Sequence, residues 1–207
     1  MGDYFQTIVD LDASAADAER LARRVVDRLV TEGIVLAERT DCVLGRPLGH
    51  PPGPSWARAV GDLDADEEPW DGLAVHIGRT VFDGGQDSPE AVTCPLCAAT
   101  TPLESDPYDE FLPEPDGRST AATDAEDPWP RFATALATWQ TTGDAMVVCP
   151  ACRCPAPLPD WTWTDDRLAL GHLGFEFWNW PELTDDFRTR LSGLLDGHRT
   201  AYVWGKI

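Results

Sequence analysis

Apolar residues along the chain switch between strand-type and helix-type spacing, and the two ends of the chain show the same succession. Residues 4–11, Tyr-Phe-Gln-Thr-Ile-Val-Asp-Leu, are β-branched and aromatic with apolar side chains on both faces, which predicts a central strand. Ala18, Leu21, Ala22, Val25, Leu29 and Val30 follow at helical spacing, with Ser14 placed to cap that helix and Gly33 to end it. Residues 34–38, continuing towards 42–44, predict a second strand. Strand, helix and strand within about 40 residues form a split βαβ opening. At the far end Thr184 is placed to cap a helix begun by Asp185 and Asp186, with Phe187, Leu191, Leu194 and Leu195 facing inward and Gly197 closing it. Residues 201–204 then predict a closing strand.

The segments between these ends change character several times. Pro47, Pro51, Pro52 and Pro54 exclude residues 45–54 from sheet or helix, and one helical turn is expected near 56–60. An acidic run over 62–71 completes that loop before strand chemistry returns at 73–77 and extends towards 80–82. Residues 100–126, rich in Pro, Asp, Glu, Ser and Thr, are expected to lack structure of their own, with Tyr108, Phe111 and Leu112 able to pin them to a surface. Asp127-Pro128 starts a helix whose stripe of Trp129, Phe132, Leu136 and Trp139 reads as core packing, and Gly143 closes it. Residues 161–163 and 168–180 read as a hairpin or two adjoining strands. In the second, Phe175 and Phe177 point one way and Trp178 and Trp180 the other. A helix over each face would make both pairs core. An open face would leave the two tryptophans as an adhesive patch.

Two cysteine pairs organise the middle of the chain: Cys94-Pro95-Leu96-Cys97 and Cys149-Pro150-Ala151-Cys152, each preceded by a β-leaning run. Four thiolates supplied in this way match the tetrahedral cage that Zn²⁺ prefers, and they close its coordination sphere, so the metal is expected to be structural. Iron in the same cage, two disulfides or a redox dithiol are the alternatives. A strand entering a tight Cys-Pro-x-Cys turn resembles the knuckle of zinc ribbons and rubredoxin-like proteins, over about a dozen residues. The resemblance implies a zinc-ribbon element with Cys94, Cys97, Cys149 and Cys152 as ligands. The hooks are 51 residues apart, against ~15–20 in a compact ribbon. Either a large insertion separates them or each pair joins a different site. Cys154 can replace Cys152, and Cys42 reads as a small buried apolar residue. The expected architecture is an α+β sandwich, ferredoxin-like or split βαβ, in halves 1–89 and 161–207, with the zinc-ribbon insertion at 90–160.

Charge narrows the function. The net charge is −20, with one lysine against 15 arginines, and 15 of the 36 acidic residues fall within 62–71 and 104–127. Such a polyanion repels nucleic acid and anionic membranes. The one basic cluster is Arg20, Arg24 and Arg28 with Arg23 beside them. Glu19 can pair with Arg23 and Asp27 with Arg24, which makes it an ordinary solvated face. No run approaches the ~20 apolar residues of a membrane span, and no secretory signal opens the chain. With metal-type cysteines this points to the cytoplasm. The scarcity of lysine and asparagine suggests a GC-rich, bacterial genome. The histidines, His50, His76, His172 and His198, are widely spaced, and no familiar catalytic motif is present. The leading expectation is a non-enzymatic zinc-binding protein, an adaptor, regulator or immunity-like inhibitor of a basic protein partner, contacting it through 104–127 with Tyr108, Phe111 and Leu112. The alternatives are an enzyme sited around His50, His76 and His172 with Asp10 and Asp12, and nucleic-acid binding through the ribbon and Arg20, Arg24 and Arg28.

Overall fold

Residues 2–44, 48–61, 68–85, 89–103 and 128–207 are described by the computed structural model, a mixture of helices and antiparallel sheets. Its elements are β1 (Tyr4–Asp10), α1 (Ala18–Thr31), β2 (Leu73–Asp83), β3 (Ala91–Thr93), β4 (Thr100–Pro102), α2 (Trp129–Thr142), β5 (Met146–Val148), β6 (Pro155–Pro157), β7 (Thr162–Trp163), β8 (Leu168–Trp178), α3 (Asp185–Ser192) and β9 (Thr200–Lys206). They divide into two units, Met1–Asp87 with Asp165–Ile207, and Ser88–Thr164. The expected contact segment 104–127, with Tyr108, Phe111 and Leu112, lies outside the described residues.

The larger unit is built on a four-stranded sheet in the order β2-β8-β1-β9, with every neighbouring pair antiparallel. Alternation along these strands sends Ile8, Leu73, Leu173, Phe175 and Phe177 to one face, where Leu21, Val25 and Leu29 of α1 and Phe187 and Leu191 of α3 bury against them. Both helices thus cover the same face, not one face each. Ser14 accepts the Asp17 N–H at its hydroxyl and the Ala18 N–H at its carbonyl, so its turn leads into α1. Thr184 caps α3 through the Phe187 N–H at 3.2 Å, as its position implies.

Three expectations need correction. Residues 34–38 do not form a strand. Ile34 and Val35 are buried in the main core, but pairing there is limited to isolated bridges, Val35 with Pro52 and Thr40 with Gly49. Prolines at 51, 52 and 54 have no N–H to extend a ladder, so the second strand of the sheet is instead β2. Residues 161–163 form no hairpin with β8, since β7 pairs with β3 in the smaller unit. Trp178 and Trp180 do not share a face. Asn179 adopts a left-handed φ of 50°, held by its amide on Asp3 and Asp71 and by backbone pairing with Tyr4, and this resets the alternation. Trp180 swings onto the helix-covered core with its ring 5.2 Å from Phe177, while Trp178 packs on Phe5 at 5.1 Å. Both tryptophans are buried, so they form no adhesive patch.

Gln6 ties the sheet to the turn before α3. Its Nε2 donates to the Trp180 carbonyl at 2.8 Å, and its Oε1 accepts from the Leu183 N–H and the Tyr202 hydroxyl. Burial, the largest influence, pushes the Tyr202 phenol up to about 12 against the opposing pull of Arg188 stacked on its ring. Because the folded state favours the neutral phenol, the stability this group contributes is complete below the unfolded value of about 10. It is lost as pH rises through about 12. In an alkaline absorbance titration of the three tyrosines, we expect one late ionisation that disappears in Tyr202→Phe.

Candidate metal centre

The smaller unit presents each Cys-Pro-x-Cys hook at the tip of a three-residue hairpin. Thr93 pairs with Thr100 across the first hook, and Val148 with Pro155 across the second. The two tips share one backbone pattern. The Cys94 N–H donates to the Ala99 carbonyl and the Ala98 N–H to the Cys94 carbonyl. The Cys149 N–H donates to the Cys154 carbonyl and the Arg153 N–H to the Cys149 carbonyl. Ala98 and Arg153 occupy matching left-handed positions, with φ of 56° and 60°. Such residues cost roughly 1–2 kcal/mol each, which the hydrogen bonds of each tip help to offset. Sequence reading identified the hooks but not these two residues, because the conformation ordinarily recruits glycine.

The sulfurs of Cys94, Cys97, Cys149 and Cys152 all lie within 4.8 Å of one another, the one group of three or more His, Cys, Asp or Glu ligand atoms so placed among the described residues. Cys97 and Cys149, from opposite hooks, are 3.8 Å apart. Cys94 and Cys149 are buried, whereas Cys97 is exposed and Cys152 half-buried, so one side of the cage faces solvent. Backbone amides turn towards the sulfurs: the Leu96 N–H reaches Cys94 Sγ at 3.4 Å. The Cys152 amide, first, and that of Ala151 draw the Cys149 thiol down to about 7 against its burial. At Cys97 the Ala99 amide lowers the thiol, but partial desolvation within the cage and the sulfurs of Cys152, Cys94 and Cys149 outweigh it and push the group up to about 12. Four acidic groups this close cannot all ionise unless a cation joins them. The donor set and spacing therefore fit a thiophilic ion, with amides arranged to share the thiolate charge.

Other proposed site residues are scattered. Cys154 stands outside the quartet, its Sγ turned to the Cys152 carbonyl at 3.5 Å. Cys42 is half-buried beside a cluster of Phe5, Val43, Ala74 and Trp178. His50 is buried, with Nδ1 on the Leu36 carbonyl at 2.9 Å. His76 lies beside Glu176 on the sheet, and His172 is on β8. Asp10 is paired with His198 at 2.9 Å, and Asp12 with Arg199. The arginines of α1 are occupied as well. Arg20 reaches Asp17 and Asp196, Arg23 reaches Glu19 and Arg28 reaches Glu32. Arg24 pairs with Asp196 and not with Asp27. Asp196 is held below the usual carboxylate range, first by Arg24 and then by Arg20.

Cobalt titration, read by its thiolate charge-transfer bands, should distinguish the quartet from its neighbour. Cys152→Ser should remove one thiolate and weaken binding, whereas Cys154→Ser should bind as the unmodified chain does. Loss of a thiolate in Cys154→Ser instead would place the cage differently. Comparison with protein-family models, with curated proteins and with solved structures finds no match to this chain.

Proposed function

We propose that the chain is a non-enzymatic binding protein whose smaller unit is fastened by one structural Zn²⁺ on Cys94, Cys97, Cys149 and Cys152. The observation that carries this is the mutual approach of four sulfurs within 4.8 Å from hooks 51 residues apart. Four thiolates fill a tetrahedral sphere and leave no open position for substrate, which favours a fastener over a catalyst. In the larger unit, the strand order and the two helices on one face support a ferredoxin-like sandwich, with the zinc-ribbon element inserted between its halves. A basic protein is the partner this reading favours. The segment Ser88–Thr164 carries twelve acidic residues against three arginines. It also exposes Leu96 at 59 %, Met146 at 52 % and Val148 at 50 %. Acidic groups steer an encounter, and exposed apolar groups can hold it. No helix among the described residues is long and apolar enough to cross a membrane.

Elemental analysis of the purified chain tests the metal directly: we expect one zinc per chain. Structural zinc supplies on the order of 10 kcal/mol of apparent binding energy in small peptides. A chelator should therefore release amide protection across Ser88–Thr164 while the four-stranded sheet keeps its own. Absence of zinc, or unchanged protection after stripping, would remove the reading. Nucleic-acid binding is disfavoured by the paired state of Arg20, Arg24 and Arg28. Gel-shift titration near physiological salt should show no binding to random duplex or single strands, and micromolar, salt-sensitive retardation would favour that alternative.

A further inference from the structure

The sheet face opposite α1 and α3 holds a charged group where the strand pattern offers apolar neighbours. Glu176 lies between Phe175 and Phe177 on β8, yet it is only 4 % exposed. Its register partner Thr7 donates from Oγ1 at 3.4 Å, and the Trp178 indole N–H donates at 2.5 Å. His76, on the same face of β2, places Nε2 at 3.3 Å from the Glu176 carboxylate, with geometry outside hydrogen bonding. That nitrogen is buried and has no hydrogen-bond partner among the described residues. Burying a carboxylate costs several kcal/mol unless other groups satisfy it. A position with only a packing role would carry an apolar side chain.

These groups line a cavity of about 330 Å³ whose other walls include Phe5, Phe82 and Trp178. Gly174 shapes it: a Cβ there would stand 2.5 Å from the Phe82 ring, so glycine lets that ring lie against the sheet. Phe82 in turn meets His76 edge-on at 5.5 Å. The cavity thus combines one buried anion, one imidazole nitrogen and three aromatic rings, the composition of a site with an apolar body and a few convergent polar groups. An anionic ligand would face Glu176 directly. A cation gains from the carboxylate and from the ring faces, and the chain's charge of −20 concentrates cations around it.

We propose that this cavity binds a small organic cation, a primary ammonium carried on a single apolar ring. The ammonium lies against Glu176 and the His76 nitrogen, and the ring lies against Phe5, Phe82 and Trp178. The site is independent of the cysteine cage. Titration of the full chain with 2-phenylethylammonium, followed by calorimetry and by the Trp178 indole N–H resonance, tests it against 2-phenylethanol and phenylacetate. The ammonium should bind saturably and about tenfold or more tightly than the alcohol, with phenylacetate weaker still. Glu176→Gln keeps the shape and should lose about tenfold in ammonium affinity. If that variant fails to fold, the ranking of the three probes on the unmodified chain decides alone. Equal binding of all three, no saturable binding, or unchanged affinity in a folded Glu176→Gln would overturn the proposal.

Discussion

The convergence of four cysteine sulfurs within 4.8 Å of one another is the constraint around which the smaller unit is arranged. Its hairpins have three-residue strands, and a hairpin that short does not persist alone in water. Apolar support comes from α2, where Phe132 meets the rings of Trp161 and Trp163 at 5.1 and 5.5 Å. The tips themselves converge on sulfur. Without a dication, protons must stay on the cage: backbone amides draw the Cys149 thiol down, while neighbouring sulfurs push that of Cys97 up. A dication there would offset half the charge of four thiolates and would hold the left-handed tip residues Ala98 and Arg153 in place. The larger unit has no comparable dependence, since its sheet and two helices bury a continuous core.

What could be read from the sequence was local. The hooks, the caps at Thr184 and Gly143, and the strands that became β1, β2, β8 and β9 are each fixed by residues within a few positions. The errors all involve partners distant in the chain. Residues 34–38 have strand composition, but an edge needs N–H groups opposite it, and the segment that came to lie there is proline-rich. β7 reads as a hairpin partner or neighbour of β8, yet its ladder runs to β3, about 70 residues earlier. Trp180 was misplaced by a single torsion, because period-two reasoning assumes that no residue between two positions turns left-handed.

Charge shows the same division. The stripe of arginines on α1 is visible in sequence, and so are its i,i+4 acids. Asp196, which engages both Arg20 and Arg24, is more than 170 positions from either in the chain and is brought to them by the turn after α3. The cluster is therefore a solvated face of paired charges, as its neighbouring acids already imply. The acidic excess has no such compensation, and it remains the dominant long-range field of the molecule.

Glu176 carries this reasoning furthest. Alternation along β8 assigns it to the side opposite Phe175 and Phe177, and an acidic residue there is ordinarily read as solvated. The fold instead buries that side, because Trp178 and Phe5 pack on one flank and Phe82 settles over Gly174 on the other. The carboxylate is then surrounded by groups that a solvated side chain would not need: an indole donor, a threonine hydroxyl and an imidazole. Stability alone gives no reason to assemble them, since an apolar side chain at 176 would avoid the desolvation altogether. A structure that bears that cost at the wall of a cavity has organised the charge towards the space it encloses.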